Sequence, residues 1–443
     1  MTRPEGLVPG LIIAAPASGS GKTTVTLGLL RALHDRGVKV SSFKVGPDYI
    51  DPAFHAAASA RPCQTIDPWA MTPGAMAAGW RQAAAGAELV VGEGVMGLFD
   101  GASDGSGSTA DLAAQLGLPV VLVVDVAAQA GSAAALVHGF AAYRSDLDLA
   151  AVIFNRVGGP GHIETLRRAC EPLGVTIAGY LPRRAELTLP DRHLGLVQAA
   201  EIPALEDFLA AAAAAMRQHL DVDALGALAR QPVLSEQGAS ALPPSGMPVL
   251  GGRIALASDL AFSFCYPHVL ADWRRQGAEI VPFSPLADEA PDAAADAIYL
   301  PGGYPELHAG RLAGNGKFLD GLRRAAQTAA IFGECGGYMV LGQGLVDAAG
   351  QRHAMAGLLP LESSFAERRL HLGYRDVETV ADGVLGPAGS RFRGHEFHYA
   401  TILKEQGEAA LFSARDASGR DLGSLGRRQG RVAGSFVHLI AAG

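Results

Sequence analysis

Long apolar runs, paired cysteines and an excess of positive charge are all missing from this sequence of 443 residues. Its longest apolar stretches, such as LPVVLVVDVAAQA at 118–130, fall short of a membrane span and carry Asp125. They predict buried parallel strands instead, and no association with a membrane. The opening MTRPEGLVPG has neither a basic n-region nor an apolar h-region, so no secretory signal is expected. Cys63, Cys170, Cys265 and Cys335 are scattered without a pairing pattern, which suits a reducing, cytoplasmic location. A formal net charge of -8 excludes nonspecific nucleic-acid binding, because neutralising phosphates needs a basic surface. Any polyanionic substrate must therefore meet a local basic pocket. Internal repeats and low-complexity tracts are absent as well.

What is present is an alternation. Runs at 10–16, 38–45, 87–94, 118–125 and 149–157 read as strands, and 21–37 and 111–117 read as helices. Strand and helix alternating in this way predict a doubly wound parallel α/β sheet. The texture then turns rich in Pro, Gly and Ser, which predicts a linker at 226–250 between domains at 1–225 and 251–443. A second alternation follows (RIALAS, FCYPHVLADWRRQG, AEIVPFSP, AIYLPGG, AAIFGECGG), predicting another α/β domain of ordinary size.

The stretch LIIAAPASGSGKTTVTLGLL places a strand, a small-residue loop and a helix in the order of a phosphate-binding loop. Amides of Gly19, Ser20 and Gly21 can wrap a phosphate at the helix N-terminus. Lys22 can reach the β/γ-phosphates, and Thr23 can offer its hydroxyl to Mg²⁺. Pro16 stands where the G-x-x-x-x-G-K-[ST] pattern has its first glycine. The metal also needs acids, and KVGPDYIDP (44–52) and VVGEGVMGLFDG (90–101) supply Lys44, Asp48, Asp51, Glu93 and Asp100 where strands end. Ligands of doubly wound sheets gather at such ends, so these groups are expected around Lys22 and Thr23, with Glu93 the first choice for the metal. Asn155, after the fifth strand, is either a base-contacting amide or a helix cap.

In the second half, AIYLPGGYPEL brings Gly302 and Gly303 to a strand end, where their amides can hold an oxyanion. AAIFGECGGYMVLG then delivers Cys335 at a strand-to-helix turn, the geometry of a nucleophile elbow. The helix N-terminus is expected to lower the thiol pKa and expose the sulfur. His438, in VAGSFVHLI, is the candidate base. RGHEFHYA (393–400) has one residue fewer than the H-E-x-x-H zinc helix, and a strand puts His395 and Glu396 on opposite faces. A structural or interface role for His395 and His398 is the alternative. Arg183, Arg184, Arg192 and His193 cluster in 181–196, either as a solvated loop or as a clamp for substrate carboxylates.

In the order APASGSGKTTVT, KVGPDYIDP, GEGVMGLFDG, LPDRHLGL, PGGYPEL, GECGGYMVLG and GHEFHY, these motifs resemble the cobyrinic acid a,c-diamide synthases of cobalamin biosynthesis. The aerobic-route members of that family act on hydrogenobyrinic acid. The resemblance spans nearly the whole chain. It implies an ATP-binding domain similar to dethiobiotin synthetase, followed by a class I glutamine amidotransferase domain. It further implies ATP and Mg²⁺ as cofactors, L-glutamine and a polycarboxylate corrinoid as substrates, and a homodimer. Cys335 would be the glutaminase nucleophile and His438 its base. Gly19, Ser20, Gly21, Lys22, Thr23, Thr24 and Asn155 would serve ATP, and Thr23, Asp48 and Glu93 the metal. Lys44, Asp48, Tyr49, Asp51, Asp100, Arg192 and His193 would line the synthetase site, with Gly302 and Gly303 at the amidotransferase site. Ile440 stands where the common amidotransferase pattern places a glutamate, two residues after the histidine. Cobyric acid synthase, which amidates four other side chains, and a P-loop regulatory ATPase with a ligand-binding second domain are the rival readings. A nickel-sirohydrochlorin relative is a further variant of the first.

Overall fold

β-branched and aliphatic runs in the first half become seven parallel strands: β1 (Gly10–Ala14), β2 (Val40–Val45), β3 (Cys63–Ile66), β4 (Leu89–Glu93), β5 (Val120–Asp125), β6 (Leu149–Val157) and β7 (Ile177–Pro182). The computed structural model describes residues 8–192, 195–234, 245–407 and 409–443. Within it the chain divides into two compact units, Met1–Ala239 and Ser240–Gly443.

The sheet of the first unit runs in the order β3-β2-β4-β1-β5-β6-β7. The chain fills one side of β1 with β2, β3 and β4, then crosses to the other side for β5. Such a reversal leaves a crevice at the carboxyl ends of the central strands. Register brings specific residues there: Lys44 of β2 lies beside Glu93 of β4, and Ile13 of β1 flanks Glu93 on the other side. Two helices start from these strand ends, α1 (Lys22–Asp35) after β1 and α2 (Asp51–Ser59) after β2. α1 buries Val25, Leu29, Leu30 and Leu33, and its Gly28 lies close against Ala212 and Met216 of the helix Leu205–His219. Chain beyond residue 225 still pairs with this unit, through Arg230 with Gly10 and Val233 with the Leu116 carbonyl.

A mixed ten-stranded sheet organises the second unit. Glu279–Phe283, Arg253–Ala257, Ala297–Leu300, Ala330–Glu334 and Val432–Ser435 run parallel in that spatial order. Asp421–Gln429, Ala410–Asp416, His371–Thr379, Arg391–His398 and Val437–Ala442 continue the sheet in antiparallel fashion. Phe436 alone separates Val432–Ser435 from Val437–Ala442, yet the second of these is the far edge of the sheet. The sheet therefore curls back on itself, which returns His438 towards the end of Ala330–Glu334. Beneath it, Phe262, Ile298, Phe318, Leu322, Ile331 and Tyr338 form part of one buried core. Among the described residues, no helix is long and apolar enough to cross a membrane.

Candidate functional site

Two sites emerge, one in each unit. In the first, the loop after β1 turns through Gly21, whose φ of 94° lies in the left-handed region. A Cβ there would come within 2.2 Å of Asn155 Nδ2, so only glycine fits. Asn155 donates to the Ser20 carbonyl at 2.9 Å, and its own Oδ1 accepts the Arg156 N–H. It thus braces the loop from the end of β6. Lys22 opens α1 and donates to the carbonyl of Met96 at 2.6 Å. Met96 takes a φ of 49°, an uncommon conformation for a side chain of this size. Burial, followed by the charge of Lys44, lowers the Lys22 pKa to about 8. Thr24 donates to the Leu187 carbonyl at 3.4 Å.

Behind the loop lies a buried cluster of charge. Lys44 Nζ is 2.6 Å from Asp51 Oδ2 and 2.8 Å from Glu93 Oε1, and 3.9 Å from Asp48 Oδ2. Burial works against that ammonium, but Asp51, Glu93 and Asp48 outweigh it and hold its pKa above the usual lysine value. Glu93 is fully buried. Burial would raise its pKa, yet Lys44 and His55 keep it ionised. Thr23 donates to Glu93 Oε1 at 2.7 Å, and His55 Nε2 contacts Glu93 Oε2 at 2.7 Å. On its other side His55 Nδ1 meets Cys63 Sγ at 3.5 Å, and against the cost of burial Cys63 and Glu93 raise its pKa to about 10. Burial and the neighbouring Asp48 push Asp51 up to about 7. Asp48 Oδ1 accepts the N–H groups of Ile50 and Asp51 at the start of α2, which leaves Oδ2 turned towards Lys44. Asp100 accepts the Gly97 N–H, and a Cβ on Gly97 would lie 2.5 Å from the Pro16 carbonyl, so this loop abuts the phosphate loop. Tyr49 is buried beside these groups in the chain.

Most of this cluster is therefore legible in the sequence, but His55 is not. A histidine on an apolar helix carries no signal that separates a clamp from an ordinary core residue. The arginine clamp is also changed. Arg192 forks onto Glu201 with contacts of 2.7 and 2.9 Å, and Arg184 reaches Gln218 and His219. Arg192 thus already has a carboxylate partner nine residues away, while His193 lies outside the described residues.

In the second unit Cys335 follows the strand Ala330–Glu334 and precedes the helix Gly336–Leu341. Its φ of 46° and ψ of -103° make a sharp, strained elbow. Gly302 is where the next element closes in: a Cβ there would lie 3.3 Å from Cys335 Cβ, 3.1 Å from His438 Nε2 and 2.3 Å from His438 Cε1. Thiol and imidazole therefore sit side by side over a glycine that cannot be replaced without moving the ring. The Gly303 amide nitrogen lies 3.1 Å from a Cβ position on Gly336, so amides flank the elbow.

One expectation fails here. The thiol is buried, and its pKa is raised rather than lowered. Burial is the main cause, the charge of Glu306 comes next, and the Gly336 N–H opposes them without prevailing. A helix of six residues does not outweigh that desolvation. His438 moves in the complementary direction: burial, then His395 and His398, lower it to about 3. Both shifts favour the neutral forms, a protonated thiol and an unprotonated ring.

Nearby, Glu396 bridges His398 Nε2 at 2.9 Å and Arg375 Nη2 at 2.7 Å, beside a cavity of about 440 Å³. His371, Glu396 and His398 bring ligand atoms within 4.8 Å of one another. Arg375 already places a positive charge on that carboxylate, so the group is a charge-balanced network. His395 instead meets Tyr374 edge-on at 5.3 Å.

Residues 11–197 match the family described as the CobQ/CobB/MinD/ParA nucleotide binding domain, and residues 253–443 match the CobB/CobQ-like glutamine amidotransferase domain. Over 433 residues, 97% of this chain and 98% of the relative, the sequence is 57% identical to the hydrogenobyrinate a,c-diamide synthase of Brucella suis biovar 1. The chain belongs to the hydrogenobyrinate a,c-diamide synthase family. The Rhodobacter capsulatus member is 54% identical and the match covers 98% of each chain; that of a Sinorhizobium species is 55% identical. Membership makes the chain a glutamine-dependent amidating ligase that joins a nucleotide-binding half to an amidotransferase half.

Proposed function

We propose that this chain uses ATP and ammonia drawn from glutamine to amidate the a- and c-side-chain carboxylates of hydrogenobyrinic acid, or of its cobalt-containing counterpart. One observation carries the reading: a chain alike to the named synthases along nearly its whole length holds two separate reaction centres, a charged phosphate loop and a thiol–imidazole pair.

A carboxylate resists attack by ammonia, so ATP would first convert it to an acyl phosphate. Lys22 would leave the Met96 carbonyl for the phosphates, joined by the amides of Gly19, Ser20 and Gly21. Its low pKa reflects the same desolvation that strengthens its attraction to phosphate oxygens. Thr23 Oγ1, Glu93 and Asp48 Oδ2 are hard oxygen donors beside that loop, a set that fits Mg²⁺. Bound there, the ion would neutralise charge developing on the transferred phosphoryl group. Lys44 and His55 would keep the Glu93 carboxylate ionised and aimed.

At the second centre, His438 Nε2 would take the proton of Cys335 as sulfur attacks the glutamine amide carbon. Amides of Gly303 and Gly336 would hold the oxyanion. His438 would then return the proton to the leaving nitrogen, and ammonia would depart. Water would hydrolyse the resulting glutamyl thioester to glutamate. Ammonia must next reach the acyl phosphate and expel phosphate, once for each amide formed.

Mass spectrometry of the corrinoid after incubation with ATP and glutamine tests the proposal. Conversion of two carboxyls to amides is the expected outcome. Four conversions would move the chain to the cobyric acid synthase reading. ATP hydrolysis with no amidation at all would favour a regulatory ATPase.

A further inference from the structure

Ile440 occupies the position that commonly supplies the carboxylate partner of the amidotransferase histidine. A different carboxylate approaches the same ring. We propose that Glu334, the residue before the nucleophile, is a positioning residue for His438 and supplies the negative charge that the imidazolium needs during glutamine hydrolysis. The inference rests on the reading of Cys335 and His438 as nucleophile and base.

Glu334 closes its strand with its side chain buried at 4% exposure, against 1% for His438. Its Oε2 lies 4.0 Å from His438 Nδ1. The carboxylate is itself held from two directions: Tyr299 donates its hydroxyl to Oε2 at 2.6 Å, and the Leu439 N–H donates to Oε1 at 3.0 Å. Leu439 is the neighbour of His438, so this bond ties the carboxylate to the strand that carries the base. Such a two-point anchor fixes an orienter in the way catalytic triads fix theirs. Glu334 approaches Nδ1, while Nε2 is the ring nitrogen nearer Gly302 and the elbow.

Other titratable groups face the ring as well. His395, His398 and Glu396 approach from the strand Arg391–His398, and Cys335 from the elbow. Glu396 is a poor candidate for the same task, since the Arg375 guanidinium and His398 already balance its charge, whereas Glu334 accepts only from a neutral hydroxyl and a backbone N–H. At rest the ring is neutral and has little attraction for a carboxylate, which suits the 4.0 Å separation. Burial raises Glu334 to about 7, so near neutral pH it can ionise as the ring accepts the thiol proton. An imidazolium beside it would draw the two together.

The test uses the full chain carrying Glu334→Gln, with glutamine kinetics, ammonia-supported amidation, and the pH dependence of Cys335 alkylation by iodoacetamide. The kcat with glutamine should fall on the order of a hundredfold, the lower end of what a compromised general base costs, with KM changed by less than about threefold. Ammonia-supported amidation should be unchanged, and the midpoint of alkylation should shift to higher pH. A purely structural role would move KM or melting temperature and leave the alkylation midpoint in place. Glutamine turnover within about threefold of the parent, or an unmoved midpoint, would overturn the proposal. Should Glu334→Gln fail to fold, Tyr299→Phe and Glu334→Asp carry the test. Tyr299→Phe removes one anchor and should lower kcat severalfold, while Glu334→Asp keeps the charge and should retain more activity than an alanine. Equal activity in the aspartate and alanine variants would refute a charge requirement. Cys335→Ser measured in parallel separates the two readings. If it keeps glutamine use, the nucleophile assignment fails; if it loses it while Glu334→Gln behaves normally, only the positioning role fails.

Discussion

The two buried polar centres of this chain follow opposite electrostatic plans. Around the phosphate loop, Lys44, Glu93 and His55 keep their charges because each lies within 2.8 Å of an opposite one. Around Cys335, burial disfavours charge on both the thiol and the imidazole. The contrast follows from the chemistry each must support. Phosphoryl transfer is helped by charges that stay in place and need no reorganisation. On the proposed reading, a thiol nucleophile gives up its proton within each turnover, and an unprotonated ring is the form that can accept it.

Removing one group from each centre gives the largest expected effects. Cys335→Ser should cut glutamine-dependent amidation by about 10³-fold or more and leave ammonia-supported amidation intact, both read from corrinoid product. Lys22→Ala should depress both amidations by about 10²- to 10³-fold while glutamate release from glutamine persists. Should either variant abolish every activity alike, the two centres would not be chemically separate.

Stability should divide the centres next. Lys44→Met leaves Asp51 buried without its cation and Glu93 with His55 alone, and should cost about 3–5 kcal/mol in chemical unfolding. His438→Asn removes a neutral ring and should cost no more than ~1–2 kcal/mol while glutaminase activity disappears. A larger loss from His438→Asn than from Lys44→Met would reverse the comparison.

Acid provides the smallest and most general probe. His395 and His438 have pKa values of about 3 and His268 of about 4, all lowered chiefly by burial. An unfolded chain protonates them near 6.5, before the folded one does. Their stabilisation is therefore complete above about pH 6.5 and declines as pH falls towards 4, by on the order of 2 kcal/mol per histidine at pH 4.5. Glu334, raised to about 7 by burial, opposes part of that loss. Hydrogen exchange at pH 7 and 4.5 should show residues 245–443 weakening; unchanged protection there would contradict neutral, buried rings.

Much of this organisation was legible in the residues. GKTT after an apolar strand marked the phosphate loop, and parallel topology explains why Lys44 and Glu93, far apart in the chain, end as register partners. Flanking glycines correctly marked the elbow at Cys335, with its positive φ. What was not legible depended on distant packing. His55 becomes a clamp only because α2 lies over Glu93. Arg192 meets Glu201 instead of standing open as a clamp, since loop geometry decides which carboxylate a guanidinium finds first. The environment of Cys335 is not legible in the sequence, because helix-end electrostatics are local whereas desolvation is the sum of everything packed around the sulfur.

The sequence alone determined the two α/β units, the order of their chemical motifs and the turns that carry them, because periodicity and turn chemistry are short-range physics. Tertiary structure alone decided which of those groups are charged. A pKa depends on solvent access and on neighbours brought together from far along the chain, as when Glu334 meets Leu439 across 105 residues. Ile440 shows the difference most plainly: in the sequence it is a missing carboxylate, and in the folded chain Glu334 stands 4.0 Å from the ring that carboxylate would have served.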